Sequence, residues 1–298
     1  MPSSTAEGAW PAPGAVVTLL KPVTWFPPLW AFACGVVSSG ASIDGRWGTL
    51  IIGLLLVGPM VCAASQAVND WFDRHVDAIN EPDRPIPSGR IPGRWGLWIA
   101  LLWSILSLLV SALLGPWVIA ATLLALALAW AYSMPPWRLK MNGWYGNAAV
   151  GLSYEGLAWF TGAAIFLGHM PGIPIIALAL LYSVGAHGIM TLNDFKAIEG
   201  DRRLGIRTLP VQLGPELAAR LACAVMLIPQ LIVALMLTIW QRPSYALVII
   251  VLMALQSLLM RRLLRDPEAH APWYNATGVL LSVSGMMVAA VAVRGLGL

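Results

Sequence analysis

The sequence predicts an all-α integral membrane protein in which about nine transmembrane helices surround a central cavity. Of its 298 residues, 58% are hydrophobic and only 11% are charged, and the mean hydropathy is +0.75. A soluble domain carries about 25% charged residues. The apolar residues are also gathered into stretches near the ~20 residues that an α-helix needs to cross a bilayer. Together these observations exclude a soluble globular fold.

Short polar segments and Pro–Gly breaks divide the apolar residues into the predicted spans. In chain order the spans are residues 23–43, 48–68, 95–114, 116–133, 146–168, 173–192, 217–239, 244–260 and 275–293. The third and fourth are separated only by Gly115-Pro116, which is typical of a tight turn. Residues 1–20 are rich in Pro, Ala and Ser and lack a basic segment before an apolar core, so they predict a cytoplasmic tail rather than a signal peptide. Residues 21–298 are then predicted to form a single transmembrane domain.

The basic residues predict how the chain is oriented. With nine spans and a cytoplasmic N-terminus, 15 of the 18 Lys and Arg residues lie on the cytoplasmic side, and only Arg46, Arg242 and Arg294 lie on the other. Cytoplasmic loops of membrane proteins carry an excess of Lys and Arg. We therefore expect the N-terminus and both long charged loops to be cytoplasmic.

Two acidic segments stand at equivalent places in the chain. Asn69-Asp70 closes the second span and Asn193-Asp194 closes the sixth, and both spans run in the same direction. Acidic residues next to membrane spans are costly and mark functional sites. The simplest arrangement is two four-helix halves of parallel topology plus a ninth helix, with the site between the halves, as in other membrane proteins that contain internal repeats.

The first acidic segment predicts a carboxylate stripe. At 100° per residue, Asp70, Asp73 and Asp77 project within roughly 60° of one another, with Asn69 at the edge of the stripe. Mg²⁺ prefers oxygen ligands and is usually held by one or two carboxylates together with substrate phosphates and water. The alternative is a solvated helix end or loop face. We favour the metal site because a second acidic segment exists to complement the first.

The second acidic segment contains Asn193, Asp194, Glu199 and Asp201. Asp194 and Asp201 share one face if the helix continues through Gly200, which is a poor helix former. Their separation along such a helix is roughly 10 Å, which is too long for one ion. Two Mg²⁺ ions that bridge a diphosphate fit this spacing better.

Basic and aromatic residues accompany both acidic segments. Arginine binds phosphate through a bidentate fork, while the alternative for each basic residue is that it only sets topology. The stretch Tyr132–Asn147 contains aromatic residues, a Pro-Pro break and two bases. This mixture suits the binding of a flat acceptor or a phosphate, and its alternative is an interfacial aromatic belt. The candidates are Arg74, Arg84, Arg90, Arg138, Lys140, Lys196, Arg202, Arg203, Arg207 and Tyr132. His187, within the sixth span, is more typical of an interhelical hydrogen bond.

These motifs resemble the UbiA superfamily of intramembrane prenyltransferases along nearly the whole chain. The resemblance is carried by Asn69–Asp77 (NDWFDRHVD) and by Asn80–Gly89 (NEPDRPIPSG). Within the superfamily, Asn193–Arg202 (NDFKAIEGDR), together with Tyr132-Ser133-x-Pro135-Pro136 and Leu139-Lys140-x-Asn142-Gly143-Trp144, is similar to the chlorophyll and bacteriochlorophyll synthases.

The resemblance implies an Mg²⁺-dependent transferase. It would esterify the propionate of a (bacterio)chlorophyllide, a magnesium tetrapyrrole, with a geranylgeranyl or phytyl group taken from the prenyl diphosphate. Many superfamily members have Asp at the position of Ala197, so Asp194 and Glu199 are the candidates to compensate. The expected metal ligands are Asp70, Asp73, Asp77, Asp194, Glu199 and Asp201, of which all but Glu199 are also expected to be catalytic. The expected substrate-binding residues are Asn69, Arg74, Arg84, Arg90, Tyr132, Lys140, Asn193, Lys196 and Arg202.

Two other functions fit parts of the pattern. One is a UbiA-type enzyme whose acceptor is a quinone precursor or haem. The other is a cation or phosphate transporter, but a transporter needs charged residues accessible from both faces, and here they lie almost wholly on one. We expect an enzyme of the bacterial inner membrane or of its intracytoplasmic photosynthetic extensions, with no nucleic acid partner.

Overall fold

The computed structural model describes residues 10–296, which form α-helices and contain no strand. The helices are α1 Pro13–Leu20, α2 Phe26–Ser39, α3 Trp47–Leu55, α4 Ala63–Asn80, α5 Trp95–Leu114, α6 Pro116–Ser133, α7 Gly143–Gly151, α8 Ala158–Leu167, α9 Ile173–Asn193, α10 Ile198–Arg203, α11 Leu209–Leu213, α12 Pro215–Ile239, α13 Pro243–Leu263 and α14 Pro267–Ala292. A π-helical segment, Leu56–Cys62, joins α3 to α4, and a second one, Leu152–Leu157, joins α7 to α8. A 3₁₀ turn, Asp194–Ala197, joins α9 to α10.

Eight helical segments in the described part of the chain are long and apolar enough to cross a membrane. They are Trp47–Asn80, Trp95–Leu114, Pro116–Ser133, Gly143–Leu167, Ile173–Arg203, Pro215–Ile239, Pro243–Leu263 and Pro267–Ala292. The prediction of an all-α membrane protein is therefore confirmed, and eight of the nine predicted spans correspond to these segments.

The first predicted span, residues 23–43, is shorter in the structure than the sequence suggests. Its helix, α2, has 14 residues and a length of roughly 21 Å. A 3₁₀ turn at Pro22–Thr24 delays its start, and Gly40 ends it with a φ of 71°, in the left-handed region that favours glycine. The apolar stretch is long enough to span, but the helix within it is not.

The chain forms two compact units whose boundaries differ from the predicted four-helix halves. Among the described residues, the first unit comprises residues 10–29 and Asp44–Arg138, and the second comprises Trp30–Ile43 and residues 139–296. The first unit holds three of the long segments and the second holds five, and most of α2 also belongs to the second unit. There, a Cβ on Gly35 would meet the Trp159 carbonyl oxygen and one on Gly162 would meet the Phe32 carbonyl oxygen, so glycines permit the close helix approach.

In the first unit, α1 packs against the apolar side of α4. Leu19 of α1, Val68 of α4 and Ile91 of the following loop are buried in one cluster. Part of the predicted tail, Pro13–Leu20, is thus a packed helix. Its Ala15, Leu19 and Leu20 lie on one helical face, and burying that face stabilises a segment whose composition alone suggests a loop.

In the second unit, α7, the π-helical segment and α8 pack closely along α9. A Cβ on Gly151 would lie 2.5 Å from the Ser183 carbonyl oxygen, and a Cβ on Gly156 would meet the Ser183 hydroxyl. Further along the unit, Gln230 and Gln256 exchange side-chain hydrogen bonds of 3.2 and 2.9 Å between α12 and α13. Such reciprocal amide pairs satisfy buried polar groups that lipid cannot hydrate.

Candidate active site

Helix α4 carries the three aspartates of the first acidic segment as predicted. Asp70 and Asp77 are buried, and the Asp73 side chain is 18% exposed. The helix runs without interruption from Ala63 to Asn80, so the carboxylates extend from the apolar core toward the charged loop that follows. This places ionisable groups where a membrane helix emerges from its apolar surroundings.

Arg84 connects the buried carboxylates of α4. Its Nη1 atom lies 2.9 Å from Asp77 Oδ2 and 3.3 Å from Asp70 Oδ1, while its Nε atom is 2.6 Å from Glu81 Oε2. Burial lowers the pKa of the Arg84 guanidinium, but the hydrogen bond with Glu81 and the charges of Asp70, Asp77 and Glu81 outweigh it, so the pKa is raised. Arg84 is therefore a fixed positive charge between two carboxylates.

A second cation reaches Asp70 from the N-terminal part of the chain. Lys21 Nζ lies 2.6 Å from Asp70 Oδ1. The other oxygen, Asp70 Oδ2, is buried and has no hydrogen-bond partner among the described residues. Lys21, Asp70 and Arg84 line a cleft of about 740 Å³ with the Asn80–Pro85 loop. A buried carboxylate oxygen without a partner is available to bind an ion or a water molecule.

Asp73 has different partners from its two neighbours on α4. Asn69 donates to Asp73 Oδ2 at 3.0 Å and also reaches the Ser133 hydroxyl at 3.2 Å. Arg138 Nη2 lies 3.7 Å from Asp73 Oδ1. Within residues 10–296, no three His, Cys, Asp or Glu side chains converge on one point as a metal site would require. A metal ion here needs further oxygens from substrate or water.

Two predicted basic residues of this unit turn away from the carboxylates. Arg74 donates to the Trp71 carbonyl oxygen at 2.6 Å and stacks over the Trp71 ring at 4.0 Å. Arg90 donates to the Asp83 carbonyl oxygen at 2.6 Å and is exposed. Tyr132 is half-buried near the end of α6. The structure therefore brings together Asp70, Asp77 and Arg84, and separately Asn69 and Asp73.

The second acidic segment does not form the continuous helix on which its predicted spacing depended. Helix α9 ends at Asn193, and the chain tightens into the 3₁₀ turn Asp194–Ala197 before α10 begins. The condition for a shared face, one helix that continues from Asp194 to Asp201, is not met, and the break lies at Asp194–Ala197 rather than at Gly200, which α10 includes. The tighter turn buries Phe195 in the core formed with Leu192 and Leu209, and this burial favours the break.

Residues that the sequence reasoning left without a role hold the acids of the second unit. Asn147 is buried, and its Nδ2 atom lies 3.3 Å from both Asp194 Oδ2 and the Thr191 hydroxyl. The Thr208 hydroxyl donates to Asp201 Oδ2 at 3.1 Å. These donors are neutral, and Lys196 is the cation whose charge acts on Asp194.

Asn193 is also held by a residue distant in sequence. Asn275 of α14 donates to Asn193 Oδ1 at 2.8 Å, and the Asn275 Oδ1 atom is buried without a partner in the described part of the chain. Amide oxygens, like carboxylates, suit hard cations. The second unit thus contains an unbonded buried oxygen, as the first unit does.

The remaining predicted residues of the second unit range from exposed to buried. Glu199 is 65% exposed and forms ion pairs with Arg202 at 3.7 Å and Arg203 at 3.0 Å. Lys196 is exposed, and Lys140 is half-buried in the 3₁₀ turn Leu139–Met141. His187 is buried, with its ring 5.8 Å from that of Trp144. The partners of Glu199 are thus Arg202 and Arg203 of its own helix.

Lys21, Asn147, Thr208 and Asn275 are the contacts that sequence reasoning missed. Each lies far along the chain from the acid or amide it contacts, except Thr208, which is seven residues from Asp201. The contact of Asn147 could have been predicted, because a polar residue within a membrane span usually has a polar partner.

Comparison with known proteins agrees with this architecture and with the motifs. Residues 24–284 match the UbiA prenyltransferase family. The chain is 58% identical to the bacteriochlorophyll synthase 33 kDa chain of Cereibacter sphaeroides, covering 96% of this chain and 95% of that protein. It is 57% identical to the protein of the same name from Rhodobacter capsulatus, covering 98% and 97%.

A solved structure shows the same fold. The UbiA homolog from Archaeoglobus fulgidus bound to GPP and Mg²⁺ superposes with a TM-score of 0.73 at 21% identity, covering 95% of this chain and all of that one. The family match spans most of the chain and includes both acidic segments. The protein therefore belongs to the UbiA prenyltransferase family.

Proposed function

We propose that this protein transfers a geranylgeranyl or phytyl group from its diphosphate to the propionate of a (bacterio)chlorophyllide. The family supplies the reaction type, and the relatives named bacteriochlorophyll synthase, at 57–58% identity over almost the full chain, support the acceptor. The observation that carries the chemistry is the cleft at Asp70, where a buried carboxylate oxygen without a partner lies beside the cations Lys21 and Arg84.

The donor atoms present fit Mg²⁺. The partnerless oxygens of Asp70 and Asn275 are hard ligands. Asp70, Asp73 and Asp77 are the candidate ligands of the first unit, and Asp194 and Asp201 are those of the second. Because no three acids converge on one point among the described residues, substrate phosphates and water would complete the coordination of each ion. Glu199 is the weakest of the proposed ligands, because its ion pairs draw it to the surface. When bound, Mg²⁺ takes up negative charge from the departing diphosphate.

The cations of the first unit are suited to the same leaving group. Lys21 and Arg84 are held in place by carboxylates before substrate arrives, so little reorganisation accompanies the appearance of charge on the diphosphate. Arg84 also presents a planar fork that matches phosphate oxygens. We assign diphosphate contacts to these two residues first, and to Lys140, Lys196 and Arg202 as the further basic candidates.

The acceptor needs no proton removed by the protein. A propionate is already ionised near neutral pH, since its pKa resembles that of Asp or Glu. One of its oxygens forms a bond to the first carbon of the prenyl group while the bond from that carbon to the diphosphate oxygen breaks. The products are the ester and the free diphosphate, and charge is balanced without a general base.

We propose that the reaction takes place on the cytoplasmic side of a bacterial inner membrane or its photosynthetic extensions. In the predicted orientation 15 of the 18 Lys and Arg residues are cytoplasmic, and seven of these lie in the charged loops after α4 and α9. Such loops remain on the cytoplasmic side in most membrane proteins. The soluble part of each substrate, the diphosphate and the propionate, is then accessible from the cytoplasm while the apolar parts stay in the membrane.

The proposal is tested with membranes that contain the full chain, Mg²⁺, geranylgeranyl diphosphate and bacteriochlorophyllide. Esterified pigment, separated by chromatography, is the expected product. The same pigment with its propionate converted to a methyl ester should yield none, since its nucleophilic oxygen is blocked while the ring is unchanged. Equal prenylation of the methyl ester would contradict ester formation at the propionate.

A further inference from the structure

Glu155 is an acid in the middle of a membrane span that the proposed reaction does not use. It is the only Asp, Glu, Lys or Arg between Gly143 and Leu167. It lies in the π-helical segment Leu152–Leu157 and is half-buried. Its carboxyl group forms no hydrogen bond or ion pair with any described residue. Acids in membrane spans face the bundle interior or a cavity and mark functional sites, and π-helical segments are frequent at such sites.

The packing of α9 fixes the depth of Glu155. Gly151 and Gly156, on either side of it, both approach Ser183. Asn147, which bonds Asp194, precedes Glu155 by eight residues in the same span, a rise of about 12 Å. Glu155 therefore lies well below the acidic end of α9, at the level of Ser183.

The π-helical segment turns Glu155 toward the face of Asn147. In a regular α-helix, residues eight apart project about 80° away from each other. The wider i→i+5 turn of Leu152–Leu157 advances each residue by a smaller angle. The accumulated difference brings Glu155 back toward the side of the helix on which Asn147 meets Asp194.

The chemistry of Glu155 at this depth is that of a hydrogen-bond donor. An ionised carboxylate without a partner is very costly in apolar surroundings, whereas the neutral acid carries one O–H donor. With no acceptor on the protein, that donor is available to a substrate. We propose that Glu155 is a specificity residue that donates a hydrogen bond to a peripheral carbonyl oxygen of the tetrapyrrole acceptor, an assignment that rests on the proposed function.

One carbonyl of the acceptor suits this position. In this proposal the propionate lies at the level of Asp194, so that the macrocycle extends into the membrane toward Glu155, over a distance comparable with its own width. The keto group on the fifth ring lies beside the propionate and is too near. The acetyl group of bacteriochlorophyllide a is on another pyrrole ring, where chlorophyllide a has a vinyl group without an acceptor atom. Glu155 would therefore favour the acetyl-bearing pigment.

The test compares two acceptors that differ only at this position, chlorophyllide a and 3-acetyl chlorophyllide a, with geranylgeranyl diphosphate and Mg²⁺. The assay includes the wild-type protein and the variants E155L and E155Q. The matched control is E216Q, which alters an exposed acid of the same unit. We expect E155L to lose about tenfold in kcat/KM for the acetyl pigment and less than about twofold for the vinyl pigment. E155Q keeps a donor and should retain most of the preference, and E216Q should resemble wild type.

A spectroscopic measurement separates a direct contact from a structural role. The acetyl C=O stretch of the bound pigment, recorded by resonance Raman without prenyl donor, should be lowered in wild type and E155Q and should return toward the free value in E155L. An unchanged acetyl preference and an unchanged stretch in E155L would overturn the inference while leaving the function intact. A wild-type protein that esterifies neither of these pigments nor bacteriochlorophyllide a would instead overturn the proposed function, whereas esterification of bacteriochlorophyllide a alone would show that a feature other than the acetyl group sets the preference and would overturn this inference.

Discussion

Lys21 Nζ and Asp70 Oδ1 lie 2.6 Å apart, although 49 residues separate them in the chain. Lys21 adopts a left-handed backbone conformation with a φ of 46°, which is uncommon for a residue with a side chain. It stands between α1 and the 3₁₀ turn that begins at Pro22. Strained residues of this kind cluster at functional sites. The contact gives the first unit a cation that its acidic motif alone does not reveal.

Replacing Lys21 by Met should weaken catalysis more than it weakens folding. Asp70 keeps Arg84 as a partner, so its charge remains paired, but the cleft loses a preorganised cation. We expect kcat/KM for the prenyl diphosphate to fall about tenfold or more, with partial recovery in K21R. R220M, which removes an exposed basic residue, is the control. A K21M enzyme with wild-type kcat/KM would show that Lys21 only ties α1 to α4.

Asp70→Ala and Asp73→Ala should each abolish turnover while the protein stays in the membrane. Each removes a carboxylate proposed to bind Mg²⁺, and Asp70 supplies the buried oxygen that lacks a partner. Transition-state charge stabilisation of this kind is worth several powers of ten, so activity should drop below about a hundredth of wild type. Esterification assays on equal amounts of folded protein measure it. Activity above about a tenth in either variant would contradict the metal role.

Asn147→Leu tests the second unit. The substitution removes the amide that bonds both Asp194 and Thr191, which leaves the carboxylate without its neutral donor. We expect about a tenfold loss of turnover, with a higher Mg²⁺ concentration needed for half-maximal rate. T161V in the same span is the control, since that hydroxyl bonds only the Leu157 carbonyl oxygen of its own helix. Equal effects of the two substitutions would place Asn147 among the structural residues.

A cysteine at Ser88 should report the orientation of the charged loops. Ser88 is exposed in the loop after α4, and the natural Cys34, Cys62 and Cys223 are all buried. Labelling by a membrane-impermeant maleimide should therefore be specific to the new residue and should require access from the cytoplasmic side. Labelling from the opposite side of sealed vesicles would reverse the predicted topology and the proposed location of the reaction.

Local periodicity explains which features could be predicted from the sequence. The eight long segments follow from apolar stretches near membrane length. The spacing of Asp70, Asp73 and Asp77 predicts that they project to one side of α4, because residues three and four apart lie on one helical face. The family resemblance rests on the same short motifs and is confirmed by the family match. Each of these signals is contained in a stretch of about twenty residues.

Tertiary contacts explain what could not be predicted. The bonds Lys21–Asp70 and Asn275–Asn193 join segments 49 and 82 residues apart, and no local pattern encodes such pairs. The break after Asn193 depends on the burial of Phe195, and the packing of α1 depends on the apolar surface of α4. The sequence shows which of these residues are polar and which are apolar, but the packing of the folded chain determines which residues they contact.

The most direct test of the central claim compares acceptors with the same prenyl donor. Full-length protein in membranes is supplied with Mg²⁺ and geranylgeranyl diphosphate, and with either bacteriochlorophyllide or 4-hydroxybenzoate, before and after metal removal with EDTA. Because a propionate is ionised without help from the protein, we predict esterified pigment, no prenylated benzoate, and no product with EDTA. Ring-prenylated 4-hydroxybenzoate, with no ester on either bacteriochlorophyllide or chlorophyllide, would contradict the assignment of a tetrapyrrole carboxylate as the acceptor.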